Sequence, residues 1–345
     1  MKKHKNIYLK NYTSLKVGGP AETLLELEED DDLVECLQEI TGQVWVFGSG
    51  TNSLISDKGL PGTVIINNCG KFKDDDTTIT ADSGVNWDQL VQFAISKDLY
   101  GLELMSGIPG GVGAAIVGNI AAYGQKIADT FIEATVFNLK TQEIKTLIKN
   151  DLKFDYRTSS LASKKHDLVI LNATFKLSKK PTMQLEYDSA LNVAKELQLI
   201  PHSLKDRRTI IMETRKRAGS LLTKDAHATA GSFFKNPIVN QEQVDSILKY
   251  EEAGISKQQL LRQNKIHGGS SVRVSAALVL LAAGFKRGQT WGNVRLHPDH
   301  ILKIENTGKA KAQEIHDVVH FITGTVKSRL NIDLEPEVRF IGSFN

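Results

Sequence analysis

At 345 residues the chain is longer than one hydrophobic core usually organises, so two or three domains are expected. A hydrophobic fraction of 41% beside 24% charged residues fits a globular protein, and a net charge of +3 is too small to make a case for nucleic acid. The longest apolar run, 276–283, is far short of the roughly 18–20 residues that cross a bilayer, and no apolar stretch follows the basic start Met1-Lys2-Lys3-His4-Lys5. No signal peptide, no membrane partner and a cytoplasmic location are therefore expected. Cys36 and Cys69 lack CxxC or Cys/His spacing and read as reduced core residues.

Residues 22–28 read as a strand and 31–40 as a helix with acidic residues in its first turn. Val44-Trp45-Val46-Phe47 follows as a short buried strand ending in Gly48-Ser49-Gly50-Thr51-Asn52-Ser53, so a β-α-β unit delivers a small-residue loop. Residues 62–66 and 79–81 are strands on either side of a polar turn at 71–76. Trp87, Leu90, Val91 and Ala94 recur at helical spacing, which predicts an amphipathic helix over 86–96. Residues 101–124 then hold seven glycines and almost no charge, too flexible for a regular element and too apolar for a solvated linker. Backbone packed against a ligand is the reading.

Strands are expected at 135–139, 144–147 and 168–177, and helices at 189–197, 204–217, 241–250 and 274–283. Strands at 292–296 and 301–304 precede a long helix marked by Ile315, Val318, Val319, Ile322 and Val326. Leu334 to Phe340 closes the chain with period-two alternation that puts Glu335, Glu337 and Arg339 on one strand face.

The glycine loops are not a dinucleotide fingerprint, because Ser53 stands where GxGxxG needs its third glycine, and GxxxxGK[ST] is absent. What remains is a turn whose amides, with the hydroxyls of Ser49, Thr51 and Ser53, suit a pyrophosphate. Gly107-Ile108-Pro109-Gly110-Gly111-Val112-Gly113 and Gly118-Asn119-Ile120-Ala121-Ala122-Tyr123-Gly124 add two more loops with minimal side chains. In Ala230-Gly231-Ser232-Phe233-Phe234-Lys235-Asn236-Pro237 a hydroxyl sits between a glycine and two bulky aromatics. An unpartnered buried serine costs about 1–3 kcal/mol, so something is expected to engage Ser232. His297 and His300 are close in sequence, but Pro298 makes a turn and no carboxylate or cysteine set completes a site, so no metal is expected.

These segments together resemble the MurB family, the flavin-dependent UDP-N-acetylenolpyruvoylglucosamine reductases of peptidoglycan synthesis. The loops 48–53, 107–113 and 118–124 look like the FAD-binding domain that MurB shares with the vanillyl-alcohol-oxidase (PCMH) type of flavoenzyme. The resemblance implies noncovalent FAD held by Gly48, Ser49, Gly50, Thr51, Asn52, Ser53, Pro109, Gly110, Gly111, Gly113, Gly118, Asn119, Tyr123 and Gly124, with NADPH as hydride donor. Phe154-Asp155-Tyr156-Arg157-Thr158-Ser159 resembles the family's Tyr-Arg-Asp-Ser motif. Arg157 takes the position of the arginine that contacts the substrate's enolpyruvyl carboxylate, a task suited to a fork that stays charged. The serine motif implies Ser232 as the proton donor to the α-carbon, and the closing strand implies Glu337 as the group that stabilises negative charge there, by a hydrogen bond from its protonated form. Alternation alone does not choose between Glu335 and Glu337. Tyr187 and Asn236 resemble residues that hold the substrate diphosphate, Tyr187 in a segment like the tyrosine loop of the longer MurB class.

Thr158 and Ala228-Thr229 depart from the family pattern, and Ser220 stands where a diphosphate lysine is usual, leaving Lys216, Arg217 or Lys224 as substitutes. The expected architecture is an α+β flavoprotein in three parts: residues 1–68 completed by 327–345, a second FAD-binding part over 69–216, and a MurB-type substrate domain over 217–326. A monomer acting on a sugar nucleotide, with no nucleic-acid partner, is the expectation. The rivals are a flavin oxidase of the same superfamily and a degenerate sugar-nucleotide-binding module.

Overall fold

Asp32 opens the first helix by accepting hydrogen bonds from the Val34 and Glu35 amides, so Leu33–Glu39 begins where the acidic residues stand. A computed structural model describes residues 1–28, 32–162, 167–221, 228–249 and 272–345. By its contacts the chain forms two compact units, each assembled from separated segments.

The first unit comprises Met1–Ile7, Ala21–Gly50 and Pro61–Lys224. Its N-terminal sheet runs in the order Lys2–Tyr8, Pro20–Glu26, Leu60–Ile66, Val44–Phe47. The last two strands are parallel, with Val44 opposite Thr63, as a β-α-β reading requires. A second, antiparallel sheet of five strands has the order Ile144–Ile148, Phe131–Asn138, Leu168–Lys176, Thr78–Asp82, Phe72–Asp75. Against it packs Trp87–Ser96, capped by Asn86, whose buried Trp87, Leu90, Val91 and Ala94 are the residues that predicted it.

Two expectations fail in this unit. The polar stretch 71–76 is not a turn: Phe72–Asp75 is an edge strand paired with Thr78–Asp82, and the reversal is the two residues Asp76 and Thr77, Asp76 at φ 50°. Charge is tolerated there because an edge strand faces water. The glycine-rich stretch 101–124 likewise holds a helix, Val112–Gly118. Its glycines serve close approach rather than looseness, since a Cβ on Gly113 would lie 2.9 Å from Ser83 Cβ.

The second unit comprises Tyr8–Pro20, Thr51–Leu60 and Asp225–Asn345. An antiparallel sheet ordered Ala228–Ser232, Lys303–Asn306, Val294–Leu296, Thr290–Trp291 shares one core with the Ala276–Ala282 and Ala312–Leu330 helices. Ile315, Val318, Val319, Ile322 and Val326 are all buried along the longer helix. The helix expected at 241–250 is described as Gln241–Leu248, and Tyr250 lies outside the described residues. The closing strand is shorter than its alternation suggests. Only Arg339–Ile341 forms a ladder, parallel to Ser53–Ile55, which itself had been read as the end of a loop. Residues 335–337 instead spend their backbone groups on the serine segment.

Candidate active site

In the second unit Ser232 ends a strand with a defect built into it. Thr229 is opposite Glu305 and Ser232 opposite Lys303, with a register shift between them. Gly231 occupies that shift at φ +78°, and an added Cβ there would meet nothing, so glycine is needed for the backbone angle and not for space. Such a bulge re-aims the side chain that follows it. Phe233 and Phe234 are almost wholly buried and anchor the strand beyond the serine, the Phe233 amide also donating to Leu302 O at 2.8 Å. Ser232 itself is only half-buried, so the aromatics flank it without entombing it.

The chain's end is tied to this segment directly. The Glu337 amide donates to Phe233 O at 2.8 Å, the Lys235 amide donates to Glu335 O at 2.9 Å, and Phe234 bridges Pro336. Two stretches a hundred residues apart thereby lie side by side, with the Glu337 amide bonded to the residue that follows Ser232. Glu335 is exposed and pairs with Lys235 Nζ at 3.3 Å, whereas Glu337 is partly sheltered, which separates the two glutamates that alternation left equivalent. Asn52 holds the same stretch from the other side. Its carbonyl accepts from the Arg339 amide at 3.1 Å and its Nδ2 donates to Glu337 O at 3.3 Å, while Ser53 is buried in the adjoining strand opposite Arg339. Asn236 Oδ1 accepts from the first amide of the Ala276–Ala282 helix at 2.9 Å.

Among the described residues Thr229 Oγ1 and His300 Nδ1 are buried without a hydrogen-bond partner, the state that a bound ligand or water resolves. Burial, reinforced by Lys303, lowers the His300 imidazole to about 4. His297 Nδ1 accepts from the Asp299 amide at 3.1 Å. Among the described residues no three or more His, Cys, Asp or Glu side chains converge.

In the first unit, Arg157 stands at the tip of a tight turn in which Asp155 and Thr158 exchange backbone hydrogen bonds of 3.0 and 3.2 Å. Its φ of 55° is left-handed, a conformation costing roughly 1–3 kcal/mol in a non-glycine residue, and such costs gather at functional sites. Asn119 braces the turn, donating Nδ2 to Asp155 O at 2.9 Å and accepting from the Ala128 amide at 3.1 Å. Its side-chain amide is thus spent within the fold. The Arg157 guanidinium donates to Ala121 O at 2.8 Å and lies 5.9 Å from the Tyr156 ring centre. Thr158, where the family motif has aspartate, donates only to its neighbour's carbonyl, at 3.4 Å.

Tyr123 and Tyr187 meet edge to face, ring centres 5.5 Å apart. Burial pushes both hydroxyls up, opposed by the field of Arg215 at Tyr123 and of Arg157 at Tyr187. Gly124 beside them has φ +96°, and a Cβ there would strike Met183 Cε at 2.4 Å.

The Leu204–Arg217 helix brings the second cation. Arg207, Ile210, Ile211 and Thr214 set its buried face. Arg207 pairs with Glu103 at 2.8 Å, both almost fully buried, and also donates to Pro201 O and Met183 O, while Gln125 and the Gly101 amide donate to Glu103. Arg208 grips Asp88 with two 2.7 Å bonds, and Asp88 also accepts from the Gly107 amide, so the glycine loop is fastened to this helix. Arg215 continues the face. Its Nη2 donates to Ser220 O, its Nε is buried without a partner among the described residues, and burial holds the guanidinium below its ordinary value against the opposing pull of Tyr123 and Asp88. Lys216 and Arg217 are exposed and paired with Glu213 and Glu196, and Lys224 lies outside the described residues. The cation aimed inward is therefore Arg215, four residues beyond buried Ile211, a phase the helical spacing already contained.

The glycine loops of this unit abut. A Cβ on Gly48 would lie 3.7 Å from the Gly111 nitrogen. Among the described residues no backbone acceptor is paired with the amides of Gly48, Ser49, Gly50 or Gly111, whereas the Val112 and Gly113 amides are taken by Val85 O and Ser83 O. Pro109 and Gly110 complete this loop, Gly110 O accepting from the Trp87 amide, and Gly118 ends the following helix.

Comparison with known proteins agrees over the whole length. Residues 223–341 match the family model of the UDP-N-acetylenolpyruvoylglucosamine reductase C-terminal domain, and residues 21–147 that of an FAD binding domain. UDP-N-acetylenolpyruvoylglucosamine reductases from Tropheryma whipplei (31% identity, 96% of this chain and 97% of the relative) and Flavobacterium johnsoniae (30%, 97% and 98%) are similar throughout. The crystal structure of the Thermus caldophilus reductase shares the fold, with a TM-score of 0.65 at 24% identity over 99% of this chain and 98% of that one.

Proposed function

The chain belongs to the UDP-N-acetylenolpyruvoylglucosamine reductase family, and from that premise we propose how its own side chains divide the reaction. The protein is an FAD-dependent oxidoreductase of peptidoglycan synthesis that reduces the enolpyruvyl ether of UDP-N-acetylglucosamine with NADPH as the hydride donor. The flavin-oxidase and binding-module readings are not favoured. No described helix is long and apolar enough to cross a membrane.

The residues present fit the cofactor. Unpaired amides on Gly48, Ser49, Gly50 and Gly111, on loops that touch, suit a pyrophosphate, and a side chain at Gly113 would collide with Ser83. Thr51, Asn52 and Ser53 are assigned to the same cofactor, Asn52 and Ser53 through their place beside the closing strand. Bound FAD supplies hydride chemistry that side chains lack.

Arg157 is assigned to the substrate carboxylate, where its fork pairs both oxygens and spreads the negative charge that builds as the β-carbon is reduced. Ser232 donates its hydroxyl proton to the α-carbon, forming the new C–H bond. Glu337 stabilises the charge at that carbon, and a preorganised group of this kind is worth on the order of 3–4 kcal/mol of barrier. Tyr187, Arg215 and the amide of Asn236 are assigned to the diphosphate, Arg215 replacing the lysine absent at Ser220.

The observation that supports this reading best is the pair of main-chain bonds tying 335–337 to the segment directly after a serine that follows a glycine bulge. The test is anaerobic: NADPH bleaches the bound flavin, and UDP-N-acetylglucosamine enolpyruvate restores its colour. Recovery only on admitting oxygen contradicts the assignment.

A further inference from the structure

His316 and His320 stand four residues apart on the Ala312–Leu330 helix and so share one face. Their Nε2 atoms are 3.1 Å apart, with ring centres 4.3 Å apart and planes inclined by 60°. Nitrogens this close share either one proton or one ion. Two imidazoles bound to a single ion through bonds of about 2.05 Å place their nitrogens about 2.9 Å apart at a right angle and about 3.3 Å apart at the tetrahedral angle. The observed separation falls between those values.

The rings are held in that pose from outside the helix. His316 stacks on Phe344 with ring centres 4.6 Å apart and planes within 8°, and Phe340 packs 5.2 Å from His316 and 6.4 Å from His320. On its far side His316 Nδ1 lies 3.5 Å from Asp317 Oδ1, a carboxylate fixed by a 2.8 Å bond from Gln313. Gln313 Nε2 also lies 3.4 Å from Nδ1, so Nδ1 is engaged by groups of its own helix and Nε2 is the nitrogen left to face His320, as an outer group orients a metal-binding histidine.

We propose that His316 and His320 chelate one divalent transition ion of the Cu²⁺, Ni²⁺, Zn²⁺ class through their Nε2 atoms. Imidazole selects these borderline ions over Mg²⁺ and Ca²⁺, which take oxygen ligands, and copper is expected to bind most tightly of the three. With no set of three or more His, Cys, Asp or Glu converging among the described residues, water fills the remaining positions and the site is open. The ion clips successive turns of the helix and fixes the rings against which Phe340 and Phe344 pack, so its effect is on the stability of the chain's end and not on the reduction.

The test uses the FAD-loaded enzyme without an affinity tag, stripped with EDTA, and titrates it with NiCl₂ and CuCl₂ in a calorimeter. One ion per chain is expected, with a rise in melting temperature that EDTA reverses. His320→Ala, a change at an exposed position, is expected to weaken binding at least tenfold while leaving turnover with NADPH unchanged, and His316→Ala to do the same to binding. Wild-type affinity in His320→Ala, equal binding of MgCl₂, or no stoichiometric binding by the wild type overturns the proposal.

Discussion

The serine–glutamate pair and the arginine–tyrosine cluster are built by opposite means. Ser232 and Glu337 are set by main-chain bonds between segments remote in sequence, so side-chain changes nearby leave their spacing alone. Arg157, Arg215, Tyr123 and Tyr187 are set by side chains: a left-handed turn braced by Asn119, and a helix whose phase is locked by the buried Arg207–Glu103 pair. The first region rests on backbone pairing. The second is as firm as its polar network is complete.

Breaking that network is the harshest test of the contrast. Arg207→Ala leaves Glu103 buried and uncompensated, and a cost of about 3–5 kcal/mol in chemical unfolding is expected. A loss below about 1 kcal/mol means the pair does not lock the helix. Gly231→Ala probes the other region with a single methyl group. The cavity accepts it, but φ +78° does not, so about 1–2 kcal/mol of destabilisation is expected together with a fall in kcat larger than any change in KM for NADPH.

Acid separates the two regions by pH. His300 has a folded value of about 4, depressed from 6.5 by burial, so its stabilising contribution is complete above about 6.5 and drains away as pH falls toward 4. Asp88 is also depressed: burial raises it, but Arg208 and the Gly107 amide outweigh burial, so its contribution is lost only below the ordinary carboxylate value of 3.8. A melting temperature that falls between pH 6.5 and 4.5, and falls less in His300→Gln, is expected, whereas an Arg208→Met variant is expected to keep the wild-type slope in that window. The smallest effect belongs to Tyr187→Phe. It should raise KM for the sugar nucleotide about 2- to 10-fold and leave flavin reduction by NADPH unchanged, because a typical hydrogen bond is worth roughly 0.5–1.5 kcal/mol net.

Much of this was legible before any coordinates. Periodicity located Trp87–Ser96 because it buries a continuous face, 204–217 was also read as a helix, and the serine motif advertised itself through a hydroxyl wedged between glycine and aromatics. Alternation at 334–340 was visible too, but it reports which way side chains point, not what the backbone pairs with. Only the fold reveals that 335–337 lie against 233–235 and 339–341 against 53–55. The Val112–Gly118 helix was hidden because glycine lowers helix propensity everywhere, while here close packing on Ser83 overrides it. Arg215 was passed over among neighbouring cations, although counting four from Ile211 separates it from exposed Lys216 and Arg217.

The central claim is that Ser232 delivers the proton. Ser232→Ala, reduced anaerobically by NADPH and mixed with UDP-N-acetylglucosamine enolpyruvate in a stopped-flow instrument, isolates that step. Flavin reduction at the wild-type rate followed by reoxidation slowed about 10²–10⁴-fold is the result expected of a missing proton donor. Reoxidation by substrate at the wild-type rate would contradict it.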